Sequence, residues 1–394
     1  MRRISANYIF PVTKPPLKNG IVEMDDDGSI SNIIDTKGQL TESRNLEFYN
    51  GVIVPGFVNT HCHLELSELK GQLSQGLTIP GFISKMISYK KQVDTDKAIA
   101  AATFHDELMQ QNGIVAVADI VNSSITTDLK TQSKIYYHNL IELIGLGKNE
   151  TDIFNKGLQI YQDFKSLGLS ASMVPHAPYS VSENLFDLLG RFAVENNSIL
   201  SIHNQESEAE NNMFRNKNGK LVDLFSTIGI NLDDWTPTGQ NSAYFLLQKL
   251  PKENVCLFVH NLYSTKNELN AIYHGFKDSY FVLCPLSNYY IENKYPNLDN
   301  FLPFTDKITI GTDSLASNYK LSILDEMKTL VRLKPSISFE TILQWATING
   351  ARALKIDQSV GSLEINKKPG LNLISDFDFG TMQITEKSNV RVLV

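Results

Sequence analysis

His61 and His63 stand two residues apart at the end of the apolar, β-branched run "VIVPGFVNTHCH". Side chains at i and i+2 of a strand share a face, so the spacing predicts two imidazoles side by side. One buried imidazole is satisfied by a backbone carbonyl; a pair points to a shared partner, and a metal ion is the simplest. Two solvated strand residues are the alternative for the pair alone. Other runs add polar residues at their ends: His176 in "LSASMVPHAPY", His203 in "SILSIHNQES" with Glu206 three residues on, His260 in "VCLFVHNLY", and Asp313 in "KITIGTDS". Each histidine alone reads as a core or rim residue bonded to a carbonyl. Five of the eight histidines so placed, with an aspartate, are hard to explain that way. Three imidazoles and one carboxylate suit Zn²⁺ with a position left open for water. Glu206 lies in "NQESEAENN", where Glu208 and Glu210 read as the solvated start of a helix; only its spacing from His203 sets it apart.

The elements that must position these groups are eight apolar runs: the four just quoted, the histidine pair's own run, "GIVAVADIVN", "KIYYHNLIELIG" and "YFVLCPLSN". "KAIAAATFHDELMQQNG", "SENLFDLLGRFAVENN" and "TKNELNAIYHGF" are among the helix-like stretches between them. Continuous apolar strands alternating with helices predict an α/β chain with a parallel (β/α)8 TIM barrel, whose chemistry collects at the C-terminal strand ends. A doubly wound open sheet is the alternative. It would need a glycine-rich phosphate turn after an early strand, and none is found. Residues 1–57 and 361–394 break the rhythm with short strands and turns, "DDDGS" being a hairpin signal. They predict a small composite β-sandwich-like domain built from both ends, with the barrel over 58–360.

A chain of 394 residues with 42% hydrophobic content can bury a large core. A net charge of −7 and the lack of a long basic run argue against nucleic-acid binding. No apolar stretch approaches the length of a membrane span. Cys62, Cys256 and Cys284 all lie in apolar runs and are odd in number, so buried thiols in a reducing, cytoplasmic setting are expected.

These motifs resemble the amidohydrolase superfamily along nearly the whole chain. "PGFVNTHCH" is similar to its first-strand motif, "SIHNQES" to its fifth-strand His-x-x-Glu, and "VHN" and "GTDSLASN" to its sixth and eighth strands. "PHAPYSVS" and "CPLSN" resemble the aminohydrolase branch, in particular methylthioadenosine/S-adenosylhomocysteine deaminases and aminofutalosine deaminases. "HLELS", "KKPGLNLI" and "GLTIPGFI" look closer to the latter. The resemblance implies a small heterocyclic substrate and hydrolytic deamination of an adenine-type ring. It implies one divalent metal ion, Zn²⁺ or else Fe²⁺, on His61, His63, His203 and Asp313. The metal would lower the pKa of a water toward about 7, and the resulting hydroxide would attack the amino-bearing carbon. Glu206 would protonate the ring nitrogen, His260 and Asp313 would manage the water's proton, and ammonia would leave. His176, Glu65, Asn288 and Ser314 are the expected substrate contacts, with a structural or ligand-fixing role the alternative for His176 and Glu65.

The departures also bear on function. The fourth run ends in His176 without the lysine that bridges two metals in dinuclear members. Leu286 stands where an arginine is usual, and no match is found for the ribose-holding acid that follows the first-strand loop in methylthioadenosine deaminases. Arg215, Lys217 and Lys220, in the long connection from Glu208 to Leu250, could meet a substrate carboxylate or be solvated loop charges. Hydrolysis of another heterocycle (guanine, cytosine or triazine type, dechlorination included) and a non-catalytic barrel are the competing readings. A homodimer is a family expectation.

Overall fold

A computed structural model describes residues 1–41, 45–90, 92–147 and 149–394. Five strands come from the N-terminal part: β1 (Arg2–Ile9), β2 (Leu17–Lys18), β3 (Ile21–Met24), β4 (Ile30–Ile34) and β5 (Leu46–Pro55). Eight follow: β6 (Phe57–Cys62), β7 (Ile114–Val121), β8 (Tyr136–Leu143), β9 (Ser170–Pro175), β10 (Leu200–Asn204), β11 (Val255–His260), β12 (Asp278–Leu283) and β13 (Ile308–Ile310). β14 (Leu371–Ser375) and β15 (Asn389–Val392) close the chain. The α-helices are α1 (Thr78–Lys90), α2 (Thr95–Gln111), α3 (Thr127–Gln132), α4 (Glu150–Ser166), α5 (Glu183–Glu195), α6 (Glu208–Asn216), α7 (Lys220–Thr227), α8 (Ser242–Lys249), α9 (Lys266–Gly275), α10 (Pro285–Glu292), α11 (Ile323–Leu333), α12 (Phe339–Ala346) and α13 (Ile348–Ala353).

β6 to β13 are parallel and pair in chain order as two four-stranded sheets, β6–β9 and β10–β13. The sheets meet at both seams. At one, the amide of His203 donates to the carbonyl of His176 (2.9 Å); at the other, the amides of Thr312 and Asp313 donate to the carbonyl of His61 (both 3.0 Å). The result is the (β/α)8 barrel. Its strands read as continuous apolar runs because both faces are buried. Alternate residues serve different layers: Val58, Leu140, Leu257, Val259 and Val282 join one cluster with α13, while Phe57, Ile141, Phe258 and Phe281 join the larger cluster under the surrounding helices. α11 shows the helix side of this contact. Ser322 caps it by accepting from the Asp325 amide (3.3 Å), and Ile323, Met327 and Leu330 are buried at helical spacing.

The remaining strands form one mixed sheet in the order β15-β14-β5-β1-β3-β4, with β2 on β1. Asp25–Ser29 make the predicted turn between β3 and β4, with Gly28 in the left-handed region (φ 83°). Only Gly56 separates β5 from β6, so the sheet and the barrel are joined without slack. A Cβ at Gly56 would lie 2.3 Å from Val115 Cγ1 and 2.7 Å from the Pro369 carbonyl.

A buried ion pair fixes the start of the barrel. Lys130 Nζ, on α3, donates to Asp119 Oδ2 of β7 (2.5 Å) and to Asn139 Oδ1 of β8 (2.8 Å), with both charged side chains wholly buried. Asp119 Oδ1 accepts the amide of Leu64 (2.8 Å), the residue after His63. Lys130→Met would strand the Asp119 carboxylate, and the expected loss is about 3–5 kcal/mol of unfolding free energy. Denaturant titration checks this, and Asp119→Asn added to Lys130→Met should recover part of the loss.

Candidate active site

The strand ends deliver the polar side chains through unusual backbone. Gln205, His260, Asn261 and Asp313 all have positive φ (46°, 68°, 51° and 57°), a region that costs a non-glycine residue energy and clusters at functional sites. Gln205 turns the chain as β10 ends, and Glu206 then lines the cavity. β6 carries pairing irregularities between Asn59 and Cys62, where a strand can re-aim its side chains.

His61, His63, His203, His260 and Asp313 converge. His61 Nε2 and His63 Nε2 are 3.2 Å apart, and Asp313 Oδ1 lies 3.6 Å and 3.4 Å from them. The His203 ring is centred 4.9 Å from His61 and 5.5 Å from His63 and His260. Two overlapping triads share His61: His61–His63–Asp313 and His61–His203–His260, each with ligand atoms within 4.8 Å. Partners outside the cluster fix the orientations. His203 Nδ1 donates to the His176 carbonyl (2.8 Å), and His260 Nδ1 to Asn288 Oδ1 (2.8 Å), which leaves each Nε2 with a lone pair. Asp313 Oδ2 accepts from Ser287 Oγ (2.5 Å) and Ser317 Oγ (2.7 Å), so Oδ1 faces the imidazoles.

Burial sets the charges. It lowers the pKa of His61 and His63 to about 3, so both rings are neutral donors of a lone pair. It pushes Asp313 upward, but the hydrogen bond from His61 and the nearby His63 and His260 outweigh it and hold the carboxyl well below its usual range. Burial raises Glu206 to about 8, with Asp313 and Glu210 adding to the rise, so its carboxyl holds a proton at neutral pH. Glu206 Oε1 lies 3.4 Å from His260 Nε2. This donor set fits a borderline divalent ion: neutral imidazole nitrogens and one anionic oxygen converge, and His260 Nε2 is buried with no protein hydrogen-bond partner.

His63, His203, Glu206 and Asp313 line a cavity. Much of its wall is apolar, formed by Phe82, Ile83, Met86 and Ile87 of α1 and by Phe225, Ile228 and Ile230. The 208–250 connection is thus largely helical and supplies part of that wall. Arg215, Lys217 and Lys220 do not line the cavity. Arg215 bonds Glu208 and Asn212, and Lys217 reaches the Asp233 carbonyl. Among the expected substrate contacts, His176 and Ser314 line it and Glu65 and Asn288 do not. The strand does not persist to Glu65: a 3₁₀ turn over Leu64–Leu69 takes over, and Glu65 accepts from the Asn122 amide (3.1 Å) and Ser123 Oγ (3.0 Å). The Asn288 amide oxygen is taken by His260.

Glu210 corrects the expectation of a solvated charge. It is fully buried and accepts from the amides of Gln205 (3.0 Å) and Glu206 (3.1 Å) and from Ser242 Oγ, so it clamps the turn that presents Glu206. Several buried carboxylates were not singled out in the sequence, Glu326 and Glu142 among them. Glu326 accepts from the Leu286 amide (3.1 Å) and Asn318 Nδ2 (2.8 Å), tying the ends of β12 and β13 together. Glu142, near the end of β8, lines the cavity. The only hint of it was a carboxylate inside the apolar run "NLIELIG".

Comparison with known proteins identifies the family. The amidohydrolase family model matches residues 52–390, and the chain belongs to that family of metal-dependent hydrolases acting on carbon–nitrogen bonds. It is 25% identical over 331 residues to an adenosine deaminase of Helicobacter pylori, covering 83% of this chain and 79% of the relative. It is 27% identical over 316 residues to an aminodeoxyfutalosine deaminase of Nitratiruptor, covering 77% and 73%. The crystal structure of Helicobacter pylori aminofutalosine deaminase in complex with methylthio-coformycin superposes with a TM-score of 0.83 at 23% identity, over 98% of this chain and 94% of that one.

Elemental analysis of the purified protein should find one divalent metal per chain. His63→Ala should fall to well under half of that while remaining folded, and stripping the metal should lower the melting temperature of the parent.

Proposed function

We propose that this amidohydrolase-family protein is a metal-dependent deaminase of an adenine-type ring carried by a nucleoside. The observation that carries the reading is the placement of the buried Glu206 carboxyl 3.4 Å from His260 Nε2, in a cavity that Asp313 also lines. The relatives named as deaminases of adenosine and aminodeoxyfutalosine support it.

In this reading His61, His63, His203 and Asp313 hold one divalent ion, with zinc favoured by the nitrogen-rich donor set. When bound, the ion supplies Lewis acidity that brings the pKa of a water toward about 7. The protein's own groups do the rest. Glu206 donates its proton to the ring nitrogen beside the amino-bearing carbon, which makes that carbon electrophilic. His260 Nε2, unprotonated because its Nδ1 carries the proton given to Asn288, accepts a hydrogen bond from the attacking water and orients it. Asp313, steadied on Oδ2 by Ser287 and Ser317, accepts the water's proton and passes it to the departing amine. One water is consumed, the carbon–nitrogen bond breaks and ammonia leaves, while the remaining hydroxyl proton returns to Glu206 as the carbon becomes a carbonyl. His176 and Ser314 contact the substrate, whereas Asn288 acts through His260.

Ammonia release by the zinc-loaded protein, measured on adenosine, methylthioadenosine, S-adenosylhomocysteine and aminofutalosine, tests the reading. At least one should be turned over. Glu206→Gln should lower that rate by about 10²–10⁴-fold, the range for a positioned acid, with metal content unchanged. Silence on every adenine nucleoside, or full activity in Glu206→Gln, would refute it.

A further inference from the structure

Glu142 has a carboxylate whose two oxygens are treated unequally. Oε2 accepts from Asn122 Nδ2 (3.2 Å), which also donates to the Glu142 carbonyl (3.2 Å). Oε1 is buried and has no hydrogen-bond partner, although the side chain is only 3% exposed and lines the cavity. A buried carboxylate oxygen left without a donor is strongly unfavourable. His203 Nδ1 stands 3.7 Å away, but its proton is already given to the His176 carbonyl. That same commitment argues against a cation here. Glu142, His176 and His203 do place ligand atoms within 4.8 Å, yet a protonated Nδ1 has no lone pair to offer.

We infer that Glu142 is a specificity residue that accepts a hydroxyl of the substrate's sugar. The inference rests on the nucleoside reading above. The reacting ring belongs at Glu206, His260 and Asp313. Glu142 faces the Nδ1 edge of His203 and lines the same cavity as His176, Ser180, Glu206 and Asp313. A group bonded to the ring and held in that cavity comes to Glu142, and a sugar offers the O–H donor that Oε1 lacks. The site is also braced from behind: Glu65 accepts from the Asn122 amide and Ser123 Oγ, and so fixes the loop whose Asn122 side chain holds Glu142. Glu65 is accordingly a positioning residue. A charge-assisted hydrogen bond in a buried site discriminates strongly against an analogue without the donor.

The test is calorimetric binding to the zinc-loaded, catalytically silenced Glu206→Gln protein, using methylthioadenosine and its 2′,3′-dideoxy counterpart. The hydroxylated nucleoside should bind at least tenfold more tightly. Adding Glu142→Leu should bring the two Kd values within about twofold, chiefly by weakening the hydroxylated ligand, with the melting temperature and the single zinc retained. Equal affinity for the pair before that change, equal weakening of both ligands, no binding of either, or a second zinc that Glu142→Leu removes would each overturn the inference. Ammonia release by the parent protein separates the two claims. Turnover without a sugar-hydroxyl preference sinks the role of Glu142 alone, and a Glu142-dependent preference in binding without turnover sinks the deamination reading alone.

Discussion

Burying four imidazoles and an aspartate against one another is the constraint on which this architecture turns. Taking such groups out of water is costly unless each is paired, and no lysine or arginine lines the cavity among the described residues. The surrounding protein satisfies the outer atoms of the cluster. Asn288 and the His176 carbonyl take the Nδ1 protons of His260 and His203, and two serine hydroxyls take one oxygen of Asp313. The inner atoms are left facing each other, an arrangement that a divalent ion resolves. The same burial lowers the pKa of His61 and His63 and raises that of Glu206, so the lone pairs and the acid of the proposed mechanism have one physical origin.

Closing the barrel and aiming the site are one event. The two parallel half-sheets meet where the His61 carbonyl accepts the amides of Thr312 and Asp313, and where the His176 carbonyl accepts the amide of His203. Residues of the polar cluster therefore also provide the seams. Buried carboxylates just behind the site repeat the device. Asp119 holds the amide after His63, Glu210 holds the amides of Gln205 and Glu206, and Glu326 holds the segment after β12. Each accepts backbone amides next to the end of a barrel strand, and the turn that Glu210 holds passes through the positive φ of Gln205.

What was legible in the sequence was whatever repeats or ends a repeat. Eight apolar runs with polar ends were enough for the barrel, and the residues at those ends, His61, His203, His260 and Asp313, do gather in one place. The buried carboxylates were not legible, because their role depends on which backbone amides the fold brings near. Glu210 stands in a run of charges that resembles a solvated helix start, and nothing local distinguishes it from the exposed Glu208. Glu142 is a single acid in an apolar strand, a pattern shared by rim residues. Glu65 shows the limit of extrapolating a period: two residues after His63 it would share the face of the pair, but the chain has already left the strand for a 3₁₀ turn.

The central claim is that one metal ion sits among His61, His63, His203 and Asp313, facing Glu206 and His260. Crystals of the zinc-loaded protein, measured on either side of the zinc absorption edge, test it directly. The account predicts one anomalous peak per chain, within bonding distance of those four side chains. A peak displaced to Glu142 and His176, or no peak in protein that carries zinc in solution, would contradict it.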